Sequence, residues 1–309
     1  MDKISLLADL YDELALKVYE VNKEEEIKIT YLEALTYALN LLNGTIENID
    51  KCYKPFIKKI EEVDVDSIEL KRALLLDEIK ALKDLNLSLD AITPDVIGVI
   101  LAYIIEEKPD LKILELGLGM GNLTNNLINS LNSDPYIIGI EQNALLCKYN
   151  EAYANLLGTK MEVHMEDILS FNYPNVDAIV ADLDNYQYEN EYYHSELYDQ
   201  GVRDFVYLAI EKHLKSGTDS ALAYYVVSTD FFNLEGSLLF KEFFKKYAYF
   251  KGIISLPKTF FRTKSKMILI VEKITSQKTI GTSVYNLPSI QEKEKFKQIL
   301  LDIKKNMEK

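Results

Sequence analysis

Leu111-Lys112-Ile113-Leu114-Glu115-Leu116-Gly117-Leu118-Gly119-Met120-Gly121-Asn122-Leu123-Thr124 is an apolar run that breaks into alternate glycines. Ile113, Leu114 and Leu116 make the short apolar stretch expected of a strand buried on both faces of a parallel sheet, and the glycines stand where that strand must turn. A turn without Cβ atoms lets backbone approach a ligand closely. Leu123, Leu127 and Leu131 follow at helical spacing, and such a helix aims its free N–H groups and the positive end of its dipole at that ligand. Strand, glycine turn and helix together read as a nucleotide-type cradle.

The spacing of the glycines is G-x-G-x-G. A dinucleotide fingerprint, G-x-G-x-x-G, needs glycine at 122, where the chain has Asn122. Glu115 lies two residues before the first glycine, and a second apolar strand, Tyr136 to Ile140, runs into Glu141. That acid follows the last glycine by about twenty residues, the distance at which a carboxylate takes ribose hydroxyls. These residues resemble the class I S-adenosylmethionine (SAM) methyltransferases, whose first motif is E/D-x-G-x-G-x-G and whose second strand ends in an acidic residue. The resemblance implies an α/β fold, a Rossmann-like doubly wound class I methyltransferase sheet, with SAM as cofactor. It places Glu115, Gly117, Gly119, Gly121, Asn122 and Glu141 around that cofactor.

The pattern after Glu141 supports such a sheet, because helix and strand continue to alternate. Leu145 to Leu157 reads as a helix ending near Gly158, and Met161 to His164 as the third strand. Glu166-Asp167-Ile168-Leu169 then resembles the family's third motif, which implies that Asp167 takes the adenine amino group. Val176 to Ala181 is the fourth strand and delivers Asp182 at its carboxyl end, the edge where ligands sit in open α/β sheets. The fifth strand is Ala221 to Val227, and Phe250 to Leu256 and Lys266 to Lys273 close the sheet.

Within this family the chain resembles the N-6 adenine methylase branch, the stand-alone relatives of type I restriction-modification methylase subunits. Asp90-Ala91-Ile92-Thr93-Pro94 resembles the segment by which that branch approaches the methionine end of SAM, which implicates Thr93. Read by itself, Thr93-Pro94-Asp95 is a helix start with threonine as N-cap. The branch carries Asn/Asp-Pro-Pro-Tyr/Phe after the fourth strand, to hold the target amine and to stack on a flipped-out base. Here the sequence is Asp182-Leu183-Asp184-Asn185-Tyr186-Gln187-Tyr188. The acid is kept, both prolines are absent, and Tyr186 and Tyr188 stand outside the motif's register. Asp182 is the catalytic candidate, and the two tyrosines are candidates for the substrate side. Ser228 to Phe232 takes the place of the branch's loop beside the target base.

Composition narrows the partners. The 309 residues are 48% hydrophobic and 27% charged, as in an ordinary globular protein. No apolar run approaches membrane-spanning length, and the N-terminus does not read as a signal peptide, so a cytoplasmic location is expected. Cys52 and Cys147 are far apart, and His164, His194 and His213 are scattered singly, so no metal site is expected. Net charge is −14, distributed as −8 over residues 1–90, −15 over 91–230 and +9 over 231–309. The acidic middle segment disfavours nucleic acid as a partner, and only the C-terminal third could attract a polyanion.

Three units are expected: a helical N-terminal domain over 1–88, the methyltransferase domain over 89–274, and a connector with a final helix over 275–309. The N-terminal leucines recur at helical spacing, enough for three to five amphipathic helices with breaks at Gly44 and at Glu61 to Asp66. Such a layer can pack on the catalytic domain, form a homodimer or recognise a substrate. Ser289 and Glu292 stand at capping-box spacing before the last helix.

Overall fold

The computed structural model describes residues 2–217, 221–274 and 281–307. Four helices come first: α1 (Lys3–Glu24), α2 (Tyr31–Leu42), α3 (Lys54–Glu61) and α4 (Ser67–Asp84). Their starts are set locally. Asp2 caps α1, while Thr30 with Glu33 and Asp66 with Glu69 form capping boxes on α2 and α4. Pro55 sits in the first turn of α3 and opens that helix instead of breaking one.

Next come α5 (Asp95–Ile104), β1 (Lys112–Leu116), α6 (Asn122–Ile128), β2 (Tyr136–Glu141), α7 (Ala144–Leu157), β3 (Met161–Met165) and β4 (Ala178–Asp182). The short α8 (Glu196–Asp199) precedes α9 (Phe205–Lys215), β5 (Leu222–Ser228), α10 (Ser237–Tyr247), β6 (Ala248–Ser255) and β7 (Lys266–Lys273). A strand β8 (Ser283–Asn286) and the helix α11 (Lys293–Met307) finish the chain.

All eight strands form one sheet in the order β3-β2-β1-β4-β5-β7-β6-β8. The first five are parallel, and β7 pairs antiparallel to both β5 and β6. The order reverses between β1 and β4, so this is a doubly wound sheet with its switch point beside the glycine turn. Each face buries its own core. Leu114, Leu116, Tyr225 and Leu269 point toward α9 and α10, and Ile113, Val180, Val226 and Ile268 toward α5, α6 and α11.

The helical layer is not closed on itself. Its core of Leu7, Leu14, Leu32, Leu35, Leu74 and Leu82 continues into Met120 of the glycine turn and Tyr149, Ala152 and Tyr153 of α7. Of the three uses that the sequence left open, packing on the sheet domain is thus realised by burial against α7. Ser289 is not the cap of the last helix. Its backbone carbonyl accepts from Glu292 N at 2.9 Å in a turn, and α11 starts at Lys293. Strand β8 falls where only a polar connector is expected, pairing parallel with β6 at the sheet edge. The first part of that connector, 275–280, lies outside the described residues.

Candidate functional site

Strand β1 ends at Leu116, and Gly117, Gly119 and Gly121 all take positive φ (78°, 53° and 78°). The glycines do different work. Gly117 and Gly119 line a cleft of about 260 Å³ at the carboxyl edge of the sheet. A Cβ on Gly119 would meet no protein atom within 4 Å, whereas one on Gly121 would lie 2.2 Å from Asn150 Oδ1. Gly121 is therefore a packing glycine, required so that α7 can approach the turn, and it does not line the cleft. Asn150 secures this arrangement by donating from Nδ2 to the Gly119 carbonyl at 2.9 Å.

Asn122, expected beside the cofactor, is buried behind the turn at the start of α6 and donates to Glu78 Oε2 at 2.7 Å. Glu78 comes from the helical layer and also accepts from the Tyr149 hydroxyl at 2.7 Å. Burial pushes the Glu78 carboxyl up to about 7, with the two hydrogen bonds offsetting only part of that rise. Between the ordinary glutamate value and about 7 the folded state therefore holds a proton that the unfolded chain has lost, and stability falls as pH rises through this window. Glu78→Gln removes the penalty. The variant is expected to be more stable than the parent at pH 8 by about 2–3 kcal/mol and to lose most of that advantage near pH 4.5. Denaturant titration at both pH values checks this, and an equal difference at the two would refute it.

Of the residues singled out in the sequence, Thr93, Glu115, Glu141, Asp167, Asp182 and Tyr186 also line the cleft. Glu141 accepts from Gly119 N at 2.9 Å and from Asn143 N at 2.8 Å, so it pins the glycine turn while keeping a lone pair on each oxygen. Asp167 caps the following turn by accepting from Leu169 N at 2.8 Å, and accepts the Tyr188 hydroxyl at 3.2 Å. Tyr188 consequently stands behind Asp167 among Tyr193, Tyr198 and Phe205, and does not face the cleft. Tyr186 does, with its ring stacked on Phe205 at 4.5 Å.

Glu115 is 1% exposed, and its Oε2 has no hydrogen-bond partner. Burial, with Asp182 and Glu141 adding repulsion, holds its carboxyl well above the usual range. Among the described residues, Asp90, Glu166 and Asp184 bring the acids around the cleft to seven, against one cation, Lys266. Such a cavity favours a positively charged occupant.

Thr93 does not cap its helix. Pro94 occupies the N-cap of α5 without a side-chain bond, and the Thr93 hydroxyl donates to Asp182 Oδ2 at 2.8 Å. The other oxygen, Oδ1, accepts from Lys266 Nζ at 2.6 Å, and the same ammonium lies 3.2 Å from Asp184. Burial alone would lower the Lys266 pKa, but Asp182 and Asp184 outweigh it and hold the ammonium above the ordinary lysine value. For Asp182 burial raises the pKa, and Lys266 and Thr93 pull it only partly back. Lys266 was missed in the sequence, although a lysine opening the apolar strand Met267 to Val271 is a visible signal, because a charge in a two-faced strand needs a partner.

A second cavity of about 610 Å³ adjoins the cleft and shares Asp90, Thr93, Asp182, Asp184 and Lys266 with it. Its far walls are Leu75 and Ile79 of α4 and the loop bearing Phe260, Phe261, Arg262 and Lys264. The Thr263 hydroxyl ties this loop to Asp90. The fold thus brings basic residues of the C-terminal third to a mouth that counting charge by segment makes wholly acidic. Ser228 to Phe232 lies elsewhere: Phe231 is buried against Tyr207 and Phe240, and none of the five residues lines either cavity.

The fold is shared with solved structures. A Listeria monocytogenes protein assigned to the class I SAM-dependent methyltransferases superposes with a TM-score of 0.81 over 99% of both chains, at 24% identity. The fold is that of the class I methyltransferases. A type I restriction-modification methyltransferase subunit from Streptococcus thermophilus aligns over 96% of this chain and 74% of its own, with TM-score 0.63 and 15% identity. In sequence, the chain is 27% identical over 279 residues to the uncharacterized protein YtxK of Bacillus subtilis, covering 84% of this chain and 82% of that one. No protein-family model matches the chain. Among the described residues no helix is long and apolar enough to cross a membrane, and no cluster of His, Cys, Asp and Glu is arranged to hold a metal ion.

Proposed function

We propose that the chain binds SAM in the acidic cleft and directs its methyl group to an acceptor that enters through the second cavity. The observation that carries this reading is Glu115, a buried carboxyl with an unpaired oxygen beside Gly117 and Gly119 in a cavity of seven acids. A ligand bearing both a sulfonium and an ammonium satisfies that setting. When bound, SAM supplies a methyl group already activated by positive sulfur, so the chain needs to position groups more than to move protons. Gly117 and Gly119 admit the ligand to the backbone, Glu141 offers its free lone pairs to ribose hydroxyls, and Asp167 faces the adenine amino group. Asp182 orients the acceptor.

The second cavity supports an acceptor with an apolar or planar part, to lie on Phe260 and Phe261, and negative charge to meet Arg262 and Lys264. A nucleobase within a nucleic acid has both properties. A second reading, cofactor binding without transfer, is favoured by two observations: Leu183 and Asp184 replace the prolines, and both Asp182 oxygens are already engaged. Incubation with methyl-labelled SAM and pools of duplex DNA, RNA, peptide and metabolites separates the two. On the first reading one pool is labelled, and Asp182→Asn lowers labelling by about 100-fold or more while SAM affinity changes less than about tenfold. Label in no pool, with SAM binding intact, establishes the second.

A further inference from the structure

Lys266 is a buried cation that the chemistry above leaves without a task. Its side chain is 7% exposed and stands in the wall between the cofactor cleft and the second cavity. Its nearest neighbour is Asp182, the very group placed to orient an acceptor. A cation buried this deeply is costly to keep unless a carboxylate compensates it, and here Asp182 is the principal compensator. The outcome is an acceptor carboxylate that is neutralised before any acceptor arrives. The same charge faces a cavity whose proposed ligand exists in two forms, SAM and its demethylated product, that differ by one positive charge at sulfur.

We propose that Lys266 is a specificity-determining residue: its ammonium occupies the Asp182 oxygen that would receive a protonated amine, and its charge opposes the sulfonium of SAM relative to the neutral thioether of the product. The proposal rests on the cofactor reading above. It has two consequences. Acceptors that arrive as cations find Asp182 taken, so the group methylated is an uncharged nucleophile. The acidic walls attract the extra charge of SAM and Lys266 offsets part of that attraction, so the product competes better for the cleft than it would without the lysine.

Calorimetric titration with SAM and with S-adenosylhomocysteine tests this on the parent, Lys266→Met, Lys266→Arg and Asp182→Asn. Lys266→Met is expected to shift the ratio of the two affinities toward SAM by about five-fold or more, and Lys266→Arg to keep the parent ratio. Asp182→Asn, which leaves the ammonium less compensated, is expected to move the ratio the other way. A lysine that only satisfies Asp182 structurally would change both affinities together, so an unchanged ratio in Lys266→Met and Asp182→Asn overturns the proposal. If Lys266→Met does not fold, Lys266→Gln, which keeps a polar group beside Asp182 without the charge, takes its place, and an unmoved ratio in that variant overturns the proposal. Absence of binding of both ligands to the parent would defeat the cofactor reading and the proposal with it, a result distinct from binding with an unmoved ratio.

Discussion

Gly119→Arg is expected to abolish SAM binding, with affinity reduced by about 100-fold or more, while the protein still folds. The two halves of this expectation have separate physical causes. A Cβ at 119 meets no protein atom within 4 Å, so the new side chain enters the cleft instead of the core. The cost to the fold is confined to the backbone, whose φ of 53° penalises a residue with a Cβ by about 1–2 kcal/mol. The cost to binding is larger, because an arginine side chain fills the place the ligand needs beside the turn. Calorimetry with SAM, alongside a thermal melt, reads both. Gly121 supplies the control, since any side chain there collides with Asn150 and α7: Gly121→Arg should lose binding because it loses structure. A folded Gly119→Arg that binds SAM like the parent would remove the cleft from the cofactor assignment.

Glu115→Gln is expected to move affinity and stability in opposite directions. The carboxyl is buried, has an oxygen without a partner, and lies near Asp182 and Glu141. Its pKa is raised, so the contribution of this group to stability is complete below the ordinary glutamate value and is lost as pH climbs toward the folded value. A glutamine puts an amide donor among carboxylates and removes that loss, so the variant should be more stable, and more so at pH 8 than at pH 5. Binding should weaken by about ten- to hundred-fold, the 1.5–3 kcal/mol typical of a hydrogen bond to a charged group. Denaturant melts at two pH values and SAM titrations give the four numbers needed. Weaker binding together with lower stability would mean that Glu115 is a structural residue and no ligand for a cation.

The cradle was legible in the sequence because its constraints are local. Glycine spacing and the acids at 115 and 141 follow from a strand that must turn, and the structure places Glu115, Gly117, Gly119, Glu141, Asp167 and Asp182 on one cleft. Thr93 reads both as a cap and as a residue of the cofactor side; the structure sets it against Asp182 in the cleft wall. The roles of Gly121, Asn122 and Tyr188 were not legible, because each is fixed by a partner far away in the chain, and Asn122 looks like a ligand residue until Glu78 of α4 claims it. Electrostatics failed for the same reason. Charge counted along the chain assigns the mouth to the acidic segment, whereas the loop carrying Arg262 and Lys264 folds over it from the far end.

The position of β7 has a bearing on how the protein is made. Strand β7 lies between β5 and β6 in the sheet although it follows both in the chain, so it enters after them, into a gap between strands already synthesised. Synthesis proceeds from the N-terminus, and long-range pairings are the slow ones to form. Until that insertion Asp182 has its threonine but not its lysine, and the second cavity lacks the wall carried by the loop before β7. A nascent chain can therefore complete the glycine turn, with Gly119 held by Glu141 and Asn150, well before it completes the second cavity. The two halves of the proposed site take shape at different moments in the life of one molecule.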